Sequence, residues 1–214
     1  MIVYPNMLSL QKVSKRYQTE TVLSIDQFQF EKGLYWIKGV NGAGKTTLFK
    51  VMSGILSFEG DVSFENVSLK NNPVDFRQRV SYAPAEPIYP TYLTGFQLLR
   101  FMQRIRSANH QQINEFQELF NTNEYSNQPI GTYSSGMLKK ISLIMAFLGN
   151  CPILLLDEPF ITLDVTSVRH LYSLISDRLQ TGATILVSTH QPLESVENFP
   201  CRTIGIQEKT LVYL

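Results

Sequence analysis

The chain has 214 residues, 43% of them hydrophobic and 17% charged, so it can bury a sizeable core yet is large for one domain and small for two. Nineteen basic against 18 acidic residues give a formal net charge of +1, which makes no electrostatic case for nucleic acid or an anionic membrane surface. Cys151 and Cys201 are the only cysteines, which argues against a zinc site; Met1–Leu10 lacks the pattern of a signal peptide, and no apolar run approaches the ~20 residues of a membrane span, so a cytosolic location is expected, with membrane contact only through a partner.

In chain order, Leu8–Val13 and Ile25–Phe30 alternate in part like short strands, with a turn at Glu31-Lys32-Gly33 and a buried strand at Leu34–Lys38. Residues 39–47 then fit the phosphate-loop pattern G-x-x-x-x-G-K-S/T, with Gly39, Gly44, Lys45 and Thr46 at the fixed positions. Glycines at this spacing let the backbone bend and bring its N–H groups close to phosphate oxygens. The backbone of Asn41, Gly42, Ala43, Gly44, Lys45, Thr46 and Thr47 is the expected cradle. Lys45 places a point charge on the β- and γ-phosphates, and the Thr46 hydroxyl coordinates Mg²⁺. A helix over Lys45–Leu56, with Leu48, Val51, Met52 and Leu56 on one face, aims its positive end at the same phosphates. An accidental glycine-rich turn is the alternative.

Gly60–Leu69 alternates again through Val62, Phe64 and Val67, and Val80–Ala83 is a short strand ended by Pro84. Residues 91–150 change to helical spacing: Phe96, Leu99, Met102 and Ile105; then Ile113, Phe116, Leu119 and Phe120; then Met137, Ile141, Ile144 and Leu148, with a polar loop over Asn121–Thr132. This block reads as a helical insertion, because strands resume after it. Ile153–Leu156 is the continuous apolar run of a central parallel strand. A helix carrying Val168, Leu171, Leu174, Ile175 and Leu179 ends at Gly182, followed by a buried strand at Ala183–Ser188 and a hairpin of Thr203–Gln207 with Thr210–Tyr213. Strands alternating with helices predict an α/β fold with a parallel sheet.

Asp157-Glu158 falls at the carboxyl end of that central strand, where open α/β sheets bind ligands. Asp157 there holds Mg²⁺ through its water shell, and Glu158 orients or deprotonates an attacking water. Without the phosphate loop the same pair would pass as an ordinary acidic strand-end loop.

From about Leu8 to Leu214 the motif order resembles the ATP-binding cassette family, the ATPase subunits of ABC transporters. Gly39–Thr47 matches its Walker A loop and Ile153–Glu158 its Walker B strand with the catalytic glutamate. Tyr133-Ser134-Ser135-Gly136-Met137 is similar to the signature Leu-Ser-Gly-Gly-Gln, Leu163-Asp164 to the end of the D-loop, and His190 to the switch histidine that senses the γ-phosphate. Tyr17 stands where the family stacks an aromatic on adenine. The resemblance implies one cassette over 1–214: a P-loop NTPase core with a parallel sheet and an N-terminal antiparallel β-subdomain (1–90 and 151–214), and an inserted helical subdomain (91–150). It implies a head-to-tail pair with a second cassette, identical or paralogous, sandwiching Mg²⁺ and ATP. Ser134, Ser135 and Gly136 of one subunit then face the γ-phosphate on the other. It further implies an integral-membrane permease and a cytoplasmic place on the inner face of the cell membrane; docking is expected near residues 88–105, where Ile88, Tyr89, Tyr92 and Leu93 offer aromatic and apolar contacts.

Each lesser motif has a plainer alternative. Tyr17 could be a half-buried strand aromatic, His190 a loop histidine, Tyr133–Met137 a capped helix start, and Asp164 the acidic cap of the next helix. The four apolar residues at 88–93 could be core between lobes.

The pattern is broken in two places. Pro84-Ala85-Glu86-Pro87 stands where the family carries a glutamine; alanine cannot ligate Mg²⁺, so either Glu86 swings in or the site works without that ligand. In the signature, Ser135 replaces a glycine, Tyr133 a leucine and Met137 a glutamine, and for Lys139-Lys140 a solvated helix face fits as well as any role. A regulatory or scaffolding cassette with weak hydrolysis therefore stays open, although Glu158 speaks against it. A small-molecule kinase would leave Tyr133–Met137, Asp164 and His190 unexplained. The soluble cassette ATPases of translation and DNA repair usually carry two cassettes or a long coiled coil.

Overall fold

In a computed structural model, which describes residues 7–193 and 199–214, the alternation at the start of the chain becomes a long antiparallel hairpin. Strands β1 (Leu8–Tyr17) and β2 (Glu20–Phe30) pair from Leu8 opposite Phe30 to Tyr17 opposite Glu20. Leu8, Leu10 and Val13 of β1 and Leu23, Ile25 and Phe30 of β2 are buried, as a strand with one face on the core requires. The reading made at Met1–Leu10 falls partly outside the described residues.

Strand β3 (Gly33–Lys38) leaves for a second sheet, while β4 (Glu59–Phe64) and β5 (Val67–Ser68) return to the first, giving the order β2-β1-β4-β5. The second sheet gathers β6 (Val80–Ala83), β7 (Ile153–Asp157), β8 (Thr184–Ser188), β9 (Cys201–Gln207) and β10 (Thr210–Tyr213) in the order β10-β9-β3-β8-β7-β6. Its pairings are parallel except for the terminal β9–β10 hairpin. That hairpin turns at Glu208 and Lys209, both with positive φ (48° and 70°), the conformation of a tight two-residue turn.

Every residue of β7 and β8 is buried, because both faces of the sheet are covered. Side chains alternate between the faces. Ile153 and Leu155 pack with helix α1 (Lys45–Met52) and the first sheet; Leu154 and Leu156 pack with the helices of the insertion.

Two helical details differ from the sequence expectation. Helix α1 stops at Met52, short of Leu56, because the chain turns left-handed at Gly54 (φ 73°) directly after the Ser53 cap. Helix α2 (Pro73–Arg79) was not anticipated; it has seven residues and one buried side chain, Phe76, too few to show a period.

The insertion contains α3 (Gly95–Arg106), α4 (His110–Leu119) and α5 (Ser135–Phe147), and α6 (Val165–Gln180) follows β7. Arg106, the last residue of α3, secures the insertion to the sheet. Its guanidinium donates to the carbonyls of Arg77 (3.0 Å), Gln78 (2.9 Å) and Val80 (2.7 Å), at the junction of α2 and β6. Replacing it leaves those carbonyls without their charged donor. Arg106→Met is expected to lower stability by about 2–3 kcal/mol in a urea titration followed by circular dichroism. A midpoint equal to that of the wild type would show that this clamp carries no weight.

Candidate active site

The phosphate loop leaves β3 and turns through Gly42 (φ 81°) and Gly44 (φ 101°), backbone shapes that side chains resist. Gly44 is also the cap of α1, and a Cβ there would press on Val22 Cγ1 at 3.1 Å and Leu23 Cδ2 at 3.3 Å. Lys45 is buried, and its ammonium folds back to donate to the carbonyls of Gly39 (2.7 Å) and Val40 (3.3 Å). A cation held by neutral carbonyls beside a ring of N–H groups is poised for an anion that neither can supply.

Asp157 ends β7 with 1% of its surface exposed. Its Oδ1 accepts from the Ser188 hydroxyl (2.5 Å) and its Oδ2 from the Tyr82 hydroxyl (3.3 Å). Burial, reinforced by the Asp157 charge, holds the Tyr82 phenol far above its ordinary pKa, so it remains a donor. The next residue, Glu158, sits in the left-handed region (φ 44°), a strained position for a non-glycine residue. Its N–H is shared between the Ser188 carbonyl (3.0 Å) and hydroxyl (3.1 Å), which fixes the strained turn.

The Glu158 carboxylate reaches to 3.3 Å from His190 Nε2, an ion-pair distance without hydrogen-bond alignment. Glu158 Oε1 is consequently buried with no hydrogen-bond donor. Desolvation raises the Glu158 pKa; the charges of His190 and Lys45 pull it down, and Asp157 pushes it up.

These groups meet in one cavity of about 370 Å³, lined by Asn41–Thr47, Asp157, Glu158 and His190, with Val22 as its apolar wall. The donor set fits a polyphosphate: backbone N–H groups and Lys45 for its charge. Thr46 and Asp157 offer hard oxygens suited to Mg²⁺, too few to hold it alone, so the oxygens of a bound phosphate would complete its shell. Among the described residues no cluster of three or more His, Cys, Asp or Glu forms a metal cage. The donorless Glu158 Oε1 fits an acceptor for a water proton.

Other residues singled out from the sequence lie elsewhere. Tyr17 is half-exposed at the end of the β1–β2 hairpin, with Lys15 Nζ 5.0 Å from its ring centre, and does not line the cavity. Ser134 caps α5: its Oγ accepts from the Met137 N–H (3.2 Å), and its own N–H points to Met137 Sδ (3.5 Å). Ser134 and Ser135 face solvent outside the cavity of their own chain. A Cβ on Gly136 would come within 2.8 Å of the Thr162 carbonyl oxygen, so that position needs glycine. Asp164 caps α6, accepting from the Ser167 N–H (2.8 Å) and hydroxyl (2.9 Å). Lys140, 2.7 Å away, holds its carboxyl well below the usual carboxylate range. Glu86 is exposed and does not line the cavity.

Two expectations need correction. Lys139 does not belong to a solvated helix face; it is 1% exposed, and its ammonium donates to the carbonyls of Pro84 (3.0 Å) and Ala85 (2.6 Å) and lies 3.5 Å from that of Asp157. The core reading of residues 88–93 fails for Ile88 (88% exposed) and Tyr92 (78%), while Tyr89 and Leu93 are half-buried. The sequence reading also missed Ser188 and Tyr82, which orient Asp157. Lys139 carried a legible signal: it shares its helix face with Ser142, Leu143 and Ala146, all buried.

A sequence model of the ABC transporter family matches residues 24–161. The ABC transporter ATP-binding protein YhaQ of Bacillus subtilis (strain 168), described as uncharacterized, is 31% identical over 212 residues, covering 95% of this chain and 68% of YhaQ. The linearmycin resistance ATP-binding protein LnrL of the same organism is 28% identical over 207 residues, covering 94% of this chain and 66% of LnrL. The chain thus spans about two thirds of the length of these relatives. The fold is shared with the dimeric ATP-binding cassette MJ0796 in a post-hydrolysis state with ADP and Pi: TM-score 0.81 at 18% identity, covering 95% of this chain and 96% of that one.

The electrostatics around Glu158 can be measured without any ligand. Its carboxyl is expected to titrate above the ordinary carboxylate range, as followed by carbon NMR of labelled glutamate. His190→Ala removes the largest attraction opposing burial, so the midpoint should move further up. A midpoint that moves down or stays put would mean that the ring does not act on this carboxylate.

Proposed function

This chain belongs to the ABC transporter family, and on that premise we propose that it is the ATP-binding and ATP-hydrolysing subunit of a transporter whose membrane path is a separate permease. The observation that carries this reading is the convergence of the phosphate loop, Asp157, Glu158 and His190 on one cavity, with a buried Glu158 oxygen left without a donor.

In this reading the N–H groups of Asn41–Thr47 and the Lys45 ammonium neutralise the triphosphate, and Tyr17 stacks on adenine. Thr46 and Asp157 would hold Mg²⁺, which would supply positive charge to offset the negative charge that develops on the phosphate oxygens. Glu158 takes a proton from water as the water oxygen bonds to the γ-phosphorus; the bond from that phosphorus to the bridging oxygen breaks, leaving ADP and phosphate. His190, beside Glu158, senses the γ-phosphate. Ser134, Ser135, Gly136 and Asp164 act across a head-to-tail pair with a second cassette, identical or paralogous. Their position outside their own cavity supports this, and an α-helix start is a fit partner for an anion.

The cassette comprises residues 1–214, with 91–150 as its helical subdomain. Exposed Tyr92 and Phe101 of that subdomain, with exposed Ile88 just before it, support a permease contact there. Among the described residues no helix is long and apolar enough to cross a membrane. We place the chain in the cytoplasm, peripheral on the inner face of the cell membrane. A regulatory cassette with weak hydrolysis is the second reading, favoured by Ala85, which offers no side-chain ligand.

Glu158→Gln, assayed with ATP and Mg²⁺, is expected to lower turnover by about 100-fold or more while ATP still binds and the pair of cassettes persists on gel filtration. A variant hydrolysing at the wild-type rate would remove Glu158 from its role. Wild-type protein that binds ATP yet never turns it over, even with its permease, would favour the regulatory reading. Ala85→Gln separates a further point: a raised rate is expected, and an unchanged one would mean that the missing amide does not limit hydrolysis.

A further inference from the structure

Lys139 has no part in the reading above, yet it is a buried cation against the catalytic strand end. A charge is expensive to bury unless partners compensate it. Here the Pro84 and Ala85 carbonyls accept directly, and the Asp157 carbonyl stands at 3.5 Å.

The Asp157 carbonyl matters because it belongs to the peptide that joins Asp157 to Glu158. The N–H of that same peptide unit is held by Ser188 through both carbonyl and hydroxyl. Lys139 on one side and Ser188 on the other therefore oppose rotation of the peptide plane immediately before the strained Glu158 backbone. The same ammonium grips the Ala85 loop, where no glutamine side chain is present to meet the site. And Lys139 lies on α5, one helical turn beyond Ser135.

We propose that Lys139 is a positioning residue for hydrolysis: its ammonium holds the Ala85 loop and the Asp157–Glu158 peptide in one frame, and so couples the helical insertion to the direction of the catalytic carboxylate. The proposal rests on the ATPase reading.

The test uses the cassette assembled with its permease. Turnover at saturating Mg²⁺ and ATP, ATP affinity by a fluorescent analogue, and circular dichroism are compared for wild type, Lys139→Met and Lys139→Arg. Lys139→Met should lower kcat by about tenfold or more, with ATP affinity and fold little changed. Lys139→Arg, which keeps a charged donor, should recover much of the rate. Wild-type kcat in Lys139→Met, or a rate in Lys139→Arg no higher than in Lys139→Met, would overturn the proposal and leave the ATPase reading standing. If Lys139→Met does not fold, Lys139→Gln takes its place, with the same lowered kcat expected and a wild-type kcat overturning the proposal. A wild-type complex that never hydrolyses ATP would overturn the ATPase reading and this proposal with it.

Discussion

The site depends on the parallel register of three strands. Ile37 of β3, Ser188 of β8 and Asp157 of β7 lie side by side, because β3 pairs with β8 and β8 with β7 in the same direction. Parallel strands present their carboxyl ends at one edge, and each of these strands hands over there to a functional segment: β3 to the phosphate loop, β7 to Glu158, β8 to His190. Side-chain chemistry alone could not assemble this cavity. It needs the buried strands to end within one residue of each other, and the apolar runs Ile153–Leu156 and Ile185–Val187 secure that by burying both faces.

Within that frame the polar contacts are ordered by need. Asp157 is buried, and Ser188 and Tyr82 each give its carboxyl group a hydroxyl. Glu158 is held by its backbone, through Ser188, while its carboxylate lacks a full set of donors. One carboxylate is therefore fixed and satisfied, and its neighbour is fixed and unsatisfied. A metal ligand benefits from the first condition and a proton acceptor from the second.

Much of this was legible in the sequence, and what was missed has physical reasons. The phosphate loop, the Asp157-Glu158 strand end and His190 were readable because local pattern and strand position coincide. The end of α1 was misjudged because Leu56 keeps the helical spacing while Gly54 ends the helix. Ser188 and Tyr82 were overlooked because their roles come from pairing across the sheet, with no local trace. Tyr133 departs from the leucine of related signatures, and the structure gives it a use: its hydroxyl donates to the Tyr125 carbonyl (2.8 Å) and accepts from the Gly95 N–H (3.2 Å), tying the start of α3 to that of α5. Met137 likewise keeps a capping contact with Ser134, through sulfur, a weaker acceptor than an amide oxygen.

Lys139 and Lys140 show how far apart two adjacent residues can be in physical terms. A helix turns by about 100° per residue, so the pair reaches different loops: Lys139 goes inward to Ala85 and Asp157, and Lys140 sideways to Asp164. The Lys140–Asp164 pair has its carboxylate half in water (53% exposed), and such pairs are worth at most about 1 kcal/mol. Lys139 is itself buried, and removing it would leave the Pro84 and Ala85 carbonyls without their charged donor. The start of α5 is thus held loosely on the D-loop side and firmly on the catalytic side. A displacement of that helix would let the Asp164 contact give way first, while the Asp157–Glu158 peptide moved with the helix.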